Sequence, residues 1–407
     1  MRQDCRQSAE IRPRSRRAQA YMLLLAAFFS LSSCTDNTTP RTFTTENYPL
    51  LLSDWNMLAA RDNRLVLHEA VTAYDLATPL FSDYALKLRT VWLPEGEPAS
   101  WQPEGSVEFP VGTVITKTFY YPKDPLSTDT ASVLRTERSG VGFNGTALDL
   151  DQVRLLETRL LVHQPGGWEA IPYVWNNDQQ NATLQIAGAV KRLQIRDEEL
   201  TATNSEGLAY DTDVVNFAYV VPNRNECASC HVLDQNKTDM SPIGPSIRNL
   251  NKLYSYYADG PANQLEHWQQ AGILGPLPVE AATMQAAGWQ PGAADNLDAR
   301  ARTYLDVNCG HCHQPGGSGD TSGLFLHAAE TSATRLGVCK PPVAAGRGTG
   351  GHRFSIVPGD PDNSILSYRI QSNEIGVLMP EVGRSLTHES GSQLIANWIR
   401  ELPGHCD

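Results

Sequence analysis

The spacing of hydrophobic and polar positions changes once along the chain, near Val221. From Tyr48 to that point, short β-branched and aromatic runs alternate with turn residues, which is the pattern of strands. Residues 111–121 read Val-Gly-Thr-Val-Ile-Thr-Lys-Thr-Phe-Tyr-Tyr, and residues 153–163 and 171–175 follow in the same style. Shorter runs at 183–186 and 214–221 are set off by turns such as Pro165-Gly166-Gly167 and Asn176-Asn177-Asp178. Many short strands at this spacing predict an all-β, sandwich-like domain over 49–221. Its two histidines, His68 and His163, have no second ligand at metal-binding spacing and read as surface or hydrogen-bonded core residues.

Beyond Pro222 the apolar stripes become helical. Residues 264–274 carry Leu265 and Trp268 on one face, and Leu297, Ala301, Tyr304 and Leu305 recur at i, i+4, i+7 and i+8. Leu394, Ile395, Trp398, Ile399 and Leu402 form a last stripe before Pro403-Gly404. Loops rich in glycine and proline at 345–351 and 358–361 lie between the second and third stripes.

The chemistry sits among these helices. Cys227-Ala228-Ser229-Cys230-His231 and Cys309-Gly310-His311-Cys312-His313 are two copies of Cys-x-x-Cys-His, the attachment signature of c-type haem. In that reading Cys227, Cys230, Cys309 and Cys312 bond two porphyrins covalently, and His231 and His313 are the proximal iron ligands. A zinc site built from the two Cys-x-x-Cys pairs fits poorly, because a histidine follows each pair directly. Pro245, in Ile243-Gly244-Pro245-Ser246, is expected to supply the carbonyl that orients His231. Met379, followed by Pro380 and preceding the last stripe, is the expected sixth ligand of the second haem. For the first haem Met284 ranks ahead of Met240, His267 and an open sixth position. His311 and His327 are expected to point away from iron.

The N-terminus changes the picture of where this chemistry takes place. Arg12, Arg14, Arg16 and Arg17 precede an apolar run, 21–31, that is shorter than the roughly 20 residues of a membrane span, so residues 1–34 read as an export signal. The run ends in Leu31-Ser32-Ser33-Cys34, which is similar to a bacterial lipobox, with Cys34 as the lipidated residue. Thr35 leans toward the outer membrane, and residues 35–48 read as a tether. Of eight cysteines, Cys5 falls in the signal, and Cys339 and Cys406 remain as a candidate disulfide suited to the periplasm. The formal charge of -12 becomes about -16 once the first 34 residues, with six arginines against two acids, are removed. Such a chain repels nucleic acid and would steer basic partners.

Several stretches carry a family resemblance: 110–119 (Pro-Val-Gly-Thr-Val-Ile-Thr-Lys-Thr-Phe), Glu157-Thr158-Arg159-Leu160, Tyr173-Val174-Trp175-Asn176, 245–251, 304–309 and 357–361. The chain resembles, over most of 48–402, bacterial exported di-haem c-type cytochromes with a β-rich N-terminal region. The resemblance implies haem binding and electron transfer. Together the readings predict a multidomain chain: the β-rich domain, then two α-helical class I cytochrome c-like haem domains at 222–294 and 295–407. The expected activity is electron transfer with a redox partner protein at the periplasmic face of a membrane, reached through a lipid anchor. The alternative is a peroxidase-like di-haem oxidoreductase with one reactive five-coordinate haem. No acid–base pair lies near either motif, so a carrier is favoured over a catalyst.

Overall fold

The computed structural model describes residues 39–197, 214–290, 295–343 and 345–407. The expected signal with Cys34 and the first residues of the tether, 35–38, lie outside them. Residues 40–407 form one compact unit. No helix among the described residues is long and apolar enough to cross a membrane.

A six-stranded antiparallel sheet positions everything else. Its strands, β1 (Thr72–Tyr74), β2 (Leu86–Trp92), β3 (Val114–Pro122), β4 (Val153–Gln164), β5 (Gly167–Trp175) and β6 (Ala182–Leu184), pair in chain order as a meander. The β-branched runs of the sequence lie in β3, β4 and β5, as period-two alternation requires of a sheet buried on at least one face. One face, carrying Leu88, Val114, Leu160, Val162, Ile171 and Tyr173, packs against Leu58, Leu65 and Leu148 from a small sheet laid over it and against Trp55 from the short helix just before that sheet. Buried threonines on this face satisfy each other: Thr90 with Thr116 at 2.6 Å, and Thr118 with Thr158 at 2.8 Å.

The other face departs from expectation. At one end Phe119 and Tyr121 meet Leu193, Ile195, Phe217 and Tyr219 from the strands Ala189–Asp197 and Val215–Val221. At the other end Tyr74, Val91 and Ile115 meet Ile247, Leu250, Leu265 and Trp268, which belong to the segment expected to form the first helical haem domain. That segment therefore completes the core of the sheet. Its helices, including α1 (Arg224–His231), are short, and its apolar stripe faces the β-strands.

The last part of the chain forms its own cluster, in which α2 (Leu297–Leu305), α3 (Ile365–Gln371) and α4 (Glu389–Glu401) bury Ala301, Leu305, Leu366, Ile395, Trp398 and Ile399. The expected pair of α-helical class I cytochrome domains is thus corrected. The described helices are short and few beside the strands, and no two such domains are evident. Cys339 and Cys406 are joined as a disulfide with Cα atoms 5.2 Å apart, holding the C-terminal tail beside Ile356.

This cluster is fastened to the sheet at Asp83 and Tyr84, both at positive φ. The Asp83 carboxylate accepts from the backbone N–H groups of Ser385 and Leu386, each at 2.7 Å, and the Tyr84 hydroxyl donates to the Thr387 carbonyl at 2.9 Å. Burial pushes the Asp83 carboxyl up to about 6, against the backbone hydrogen bonds that favour its charge. A folded-state value above the unfolded one favours folding at low pH and loses that advantage as pH rises through about 6. Asp83→Asn keeps an acceptor and tolerates positive φ. It should therefore gain on the native chain by up to about 3 kcal/mol between pH 4 and pH 7 in urea unfolding. Parallel pH profiles for the two chains would refute this.

Candidate functional site

Helix α1 delivers the first motif. Asn223 caps it reciprocally: its side chain accepts from Glu226 N at 3.0 Å, and Glu226 accepts from Asn223 N at 2.8 Å. Cys227 is buried against Ala170, Met240, Leu161 and Trp168, so α1 lies on β4 and β5. After His231 the chain doubles back, with Val232 bridged to Met240 and Ser241 N donating to the His231 carbonyl at 2.8 Å. This return brings the Ser241 carbonyl to His231 Nδ1, 2.7 Å away. The acceptor is thus Ser241 and not Pro245, because the tight return supplies a carbonyl earlier than the Gly-Pro turn can. Burial, then the charge of Lys117, pushes His231 down to about 4.

The second motif leaves α2 through a wide turn, Asp306–Gly310, of the π type common at functional sites. His313 Nδ1 faces the Leu324 carbonyl at 3.2 Å, and burial lowers the pKa of this histidine. Gly319 runs so close that an added Cβ would stand 3.0 Å from two atoms of the His313 ring, so a larger residue there would have to push the ring aside. Both motifs therefore share one arrangement, with the histidine neutral and its Nδ1 on a backbone carbonyl. That leaves Nε2 as the nitrogen a metal could use.

The two motifs also touch. The sulfurs of Cys230 and Cys312 lie within 4.8 Å of each other, together with a ring nitrogen of His311. Cys312 Sγ is 3.7 Å from the Ser229 carbonyl, Ser318 donates to the same carbonyl at 3.3 Å, and Gln235 N donates to Gly316 O at 2.7 Å. The Cys312 sulfur, then burial, pushes the Cys230 thiol up, and burial pushes Cys309 up to about 12.

The expected sixth ligands fare differently. Met379 is held through its backbone, its N–H donating to the Arg369 carbonyl at 3.1 Å and its carbonyl accepting from Arg384 Nε at 3.0 Å. Arg369 in turn acts electrostatically on His313. Met284 does not reach the first motif. Its sulfur lies against Gly105, 3.6 Å from where a Cβ would stand, in the core shared with Trp268 and not in the cluster around Cys227. The 53-residue spacing suited a cytochrome loop, but the intervening chain folds onto the sheet instead.

No protein-family model matches the chain, nor does any curated protein or solved structure. Geometry alone carries the reading from here. The donor set fits haem at both motifs: paired cysteines, and a neutral histidine oriented through Nδ1. The same face of the sheet holds a feature the sequence did not announce. Arg89 on β2, Lys117 on β3 and Arg159 on β4 stand abreast in register, with Lys87 beside them. Lys117 and Lys87 pack over the Phe119 ring at 5.5 and 5.7 Å. Burial, then the charge of Arg159, pushes Lys117 down to about 7, and burial likewise pushes Lys87 well down. Alternating with Leu86, Leu88 and the threonines, these charges look like a solvent-facing row. Only the later chain laid over them makes them internal.

Proposed function

We propose that the chain is an exported two-haem c-type cytochrome that relays single electrons between partner proteins at the periplasmic face of a bacterial membrane, anchored through Cys34. The observation that carries this reading is the contact between the two Cys-x-x-Cys-His segments, each with its histidine held through Nδ1. When bound, haem supplies one-electron chemistry through its iron. The chain's own residues attach and orient it. Cys227, Cys230, Cys309 and Cys312 offer the sulfurs, and His231 and His313 offer Nε2. We assign Met379 to the sixth position at the second motif.

One observation favours a second reading, in which the first haem is reactive: the sulfur of Met284 lies away from His231, against Gly105. The covalent haem content of the exported chain tests the shared premise. Two haems per chain are expected, and a mature chain without covalent haem would overturn both readings.

A further inference from the structure

We propose that Lys117 and Lys87, supported by Arg89 and Arg159, form an internal site for a doubly charged anionic ligand beside the first Cys-x-x-Cys-His segment. The inference rests on the haem reading for its location. Its charge count does not.

The cations on this face divide into two groups. Arg89 pairs with Asp75 at 3.2 Å, and Lys252 shares the same carboxylate at 3.0 Å. Arg159 pairs with Glu157 through two nitrogens, at 2.8 and 2.6 Å. Lys87 and Lys117 have no carboxylate at ion-pair distance among the described residues, and their contact is with the face of Phe119. Two half-buried ammonium groups held close together without a counter-ion are costly, so a ligand that brings the missing charge would be bound strongly.

Their surroundings fit an internal site and not an outer surface. Both lysines sit on a sheet face closed at one end by Tyr219 and at the other by Trp268, yet both keep accessible area. They therefore border open space on that face of the sheet. Lys87 and Arg89 also border a cavity of about 120 Å³ that reaches His388 and Glu137. Cys227 touches Leu161, two residues along β4 from Arg159 on the same face, and Ala170, two residues along β5 from Pro172, the cross-strand partner of Arg159. The row of charge therefore runs directly beside the first attachment point.

Two lysines over one ring, without carboxylate partners, suit carboxylates or an oxyanion. The carboxylates could be the propionates of the first haem, and the oxyanion a free dianion. Both offer the same acceptors, and charge-assisted hydrogen bonds to either are stronger than neutral ones.

The test uses the two-haem protein with Lys117→Gln, Lys87→Gln and the charge-keeping Lys117→Arg, read by potentiometric titration and by calorimetry with sulfate. If the ligand is propionate, sulfate does not bind, one of the two reduction potentials falls in the glutamine variants, and arginine restores it. If the ligand is a free oxyanion, the native chain binds sulfate and each glutamine variant weakens it by about tenfold or more. Should a glutamine variant fail to retain haem while Lys117→Arg retains both, the charge requirement is met in the same sense. Unchanged potentials and unchanged sulfate affinity in glutamine variants carrying both haems would overturn the inference. Absence of haem from the native chain would overturn the haem reading instead.

Discussion

A chain carrying Cys309→Ala and Cys312→Ala together is expected to hold one covalent haem where the native chain holds two, and the companion change at Cys227 and Cys230 should do the same. Covalent attachment needs a sulfur on each side of the turn, and among the described residues the cysteines outside the two motifs, Cys339 and Cys406, are tied to each other. The mass of the denatured chain reads the count directly. A variant that kept both haems would show that the motif is not the attachment point.

Glu157→Ala is the substitution expected to cost the most stability, about 3–5 kcal/mol by the usual loss when one partner of a buried ion pair is removed. Glu157 is fully buried; it binds Arg159 through both oxygens and accepts from the Tyr219 hydroxyl at 2.6 Å. Without it Arg159 stays inside beside Lys117, with no counter-charge at pairing distance. Glu157→Gln keeps the shape and an acceptor for Tyr219, so it should lose less than alanine does. Urea unfolding measures both. A loss below about 1 kcal/mol for alanine would mean that solvent screens the pair as it screens surface pairs.

How far the fold could be read ahead depended on whether a residue's burial is set locally. The strands β3, β4 and β5 were legible because alternation of β-branched residues is a local signal, and it survives whatever covers the sheet. The helices α2 and α4 were legible from their stripes in the same way. What the stripes could not say is what they pack against. Leu265 and Trp268 read as the core of a separate helical domain, and they turn out to seal the sheet against Tyr74 and Phe109.

At the site, the two motifs were legible by spacing alone, whereas their mutual contact and the Ser241 carbonyl depend on tertiary return of the chain. Met284 misled because loop length was the only signal for it, and length does not fix direction. The cation row escaped notice because Lys87, Arg89, Lys117 and Arg159 occupy positions that alternation assigns to water. Their burial is imposed by segments more than a hundred residues away in some cases, such as the strand carrying Phe217 and Tyr219 and the helix carrying Trp268.

Haem at both motifs would stand side by side, because the two Cys-x-x-Cys-His segments touch. The EPR spectrum of the fully oxidised two-haem chain, set against the sum of the spectra of the two single-haem variants, tests it most directly. The account predicts a spectrum that differs from the sum, broadened or diminished by coupling between neighbouring ferric ions. A spectrum equal to the sum would place the irons too far apart to interact and would contradict it.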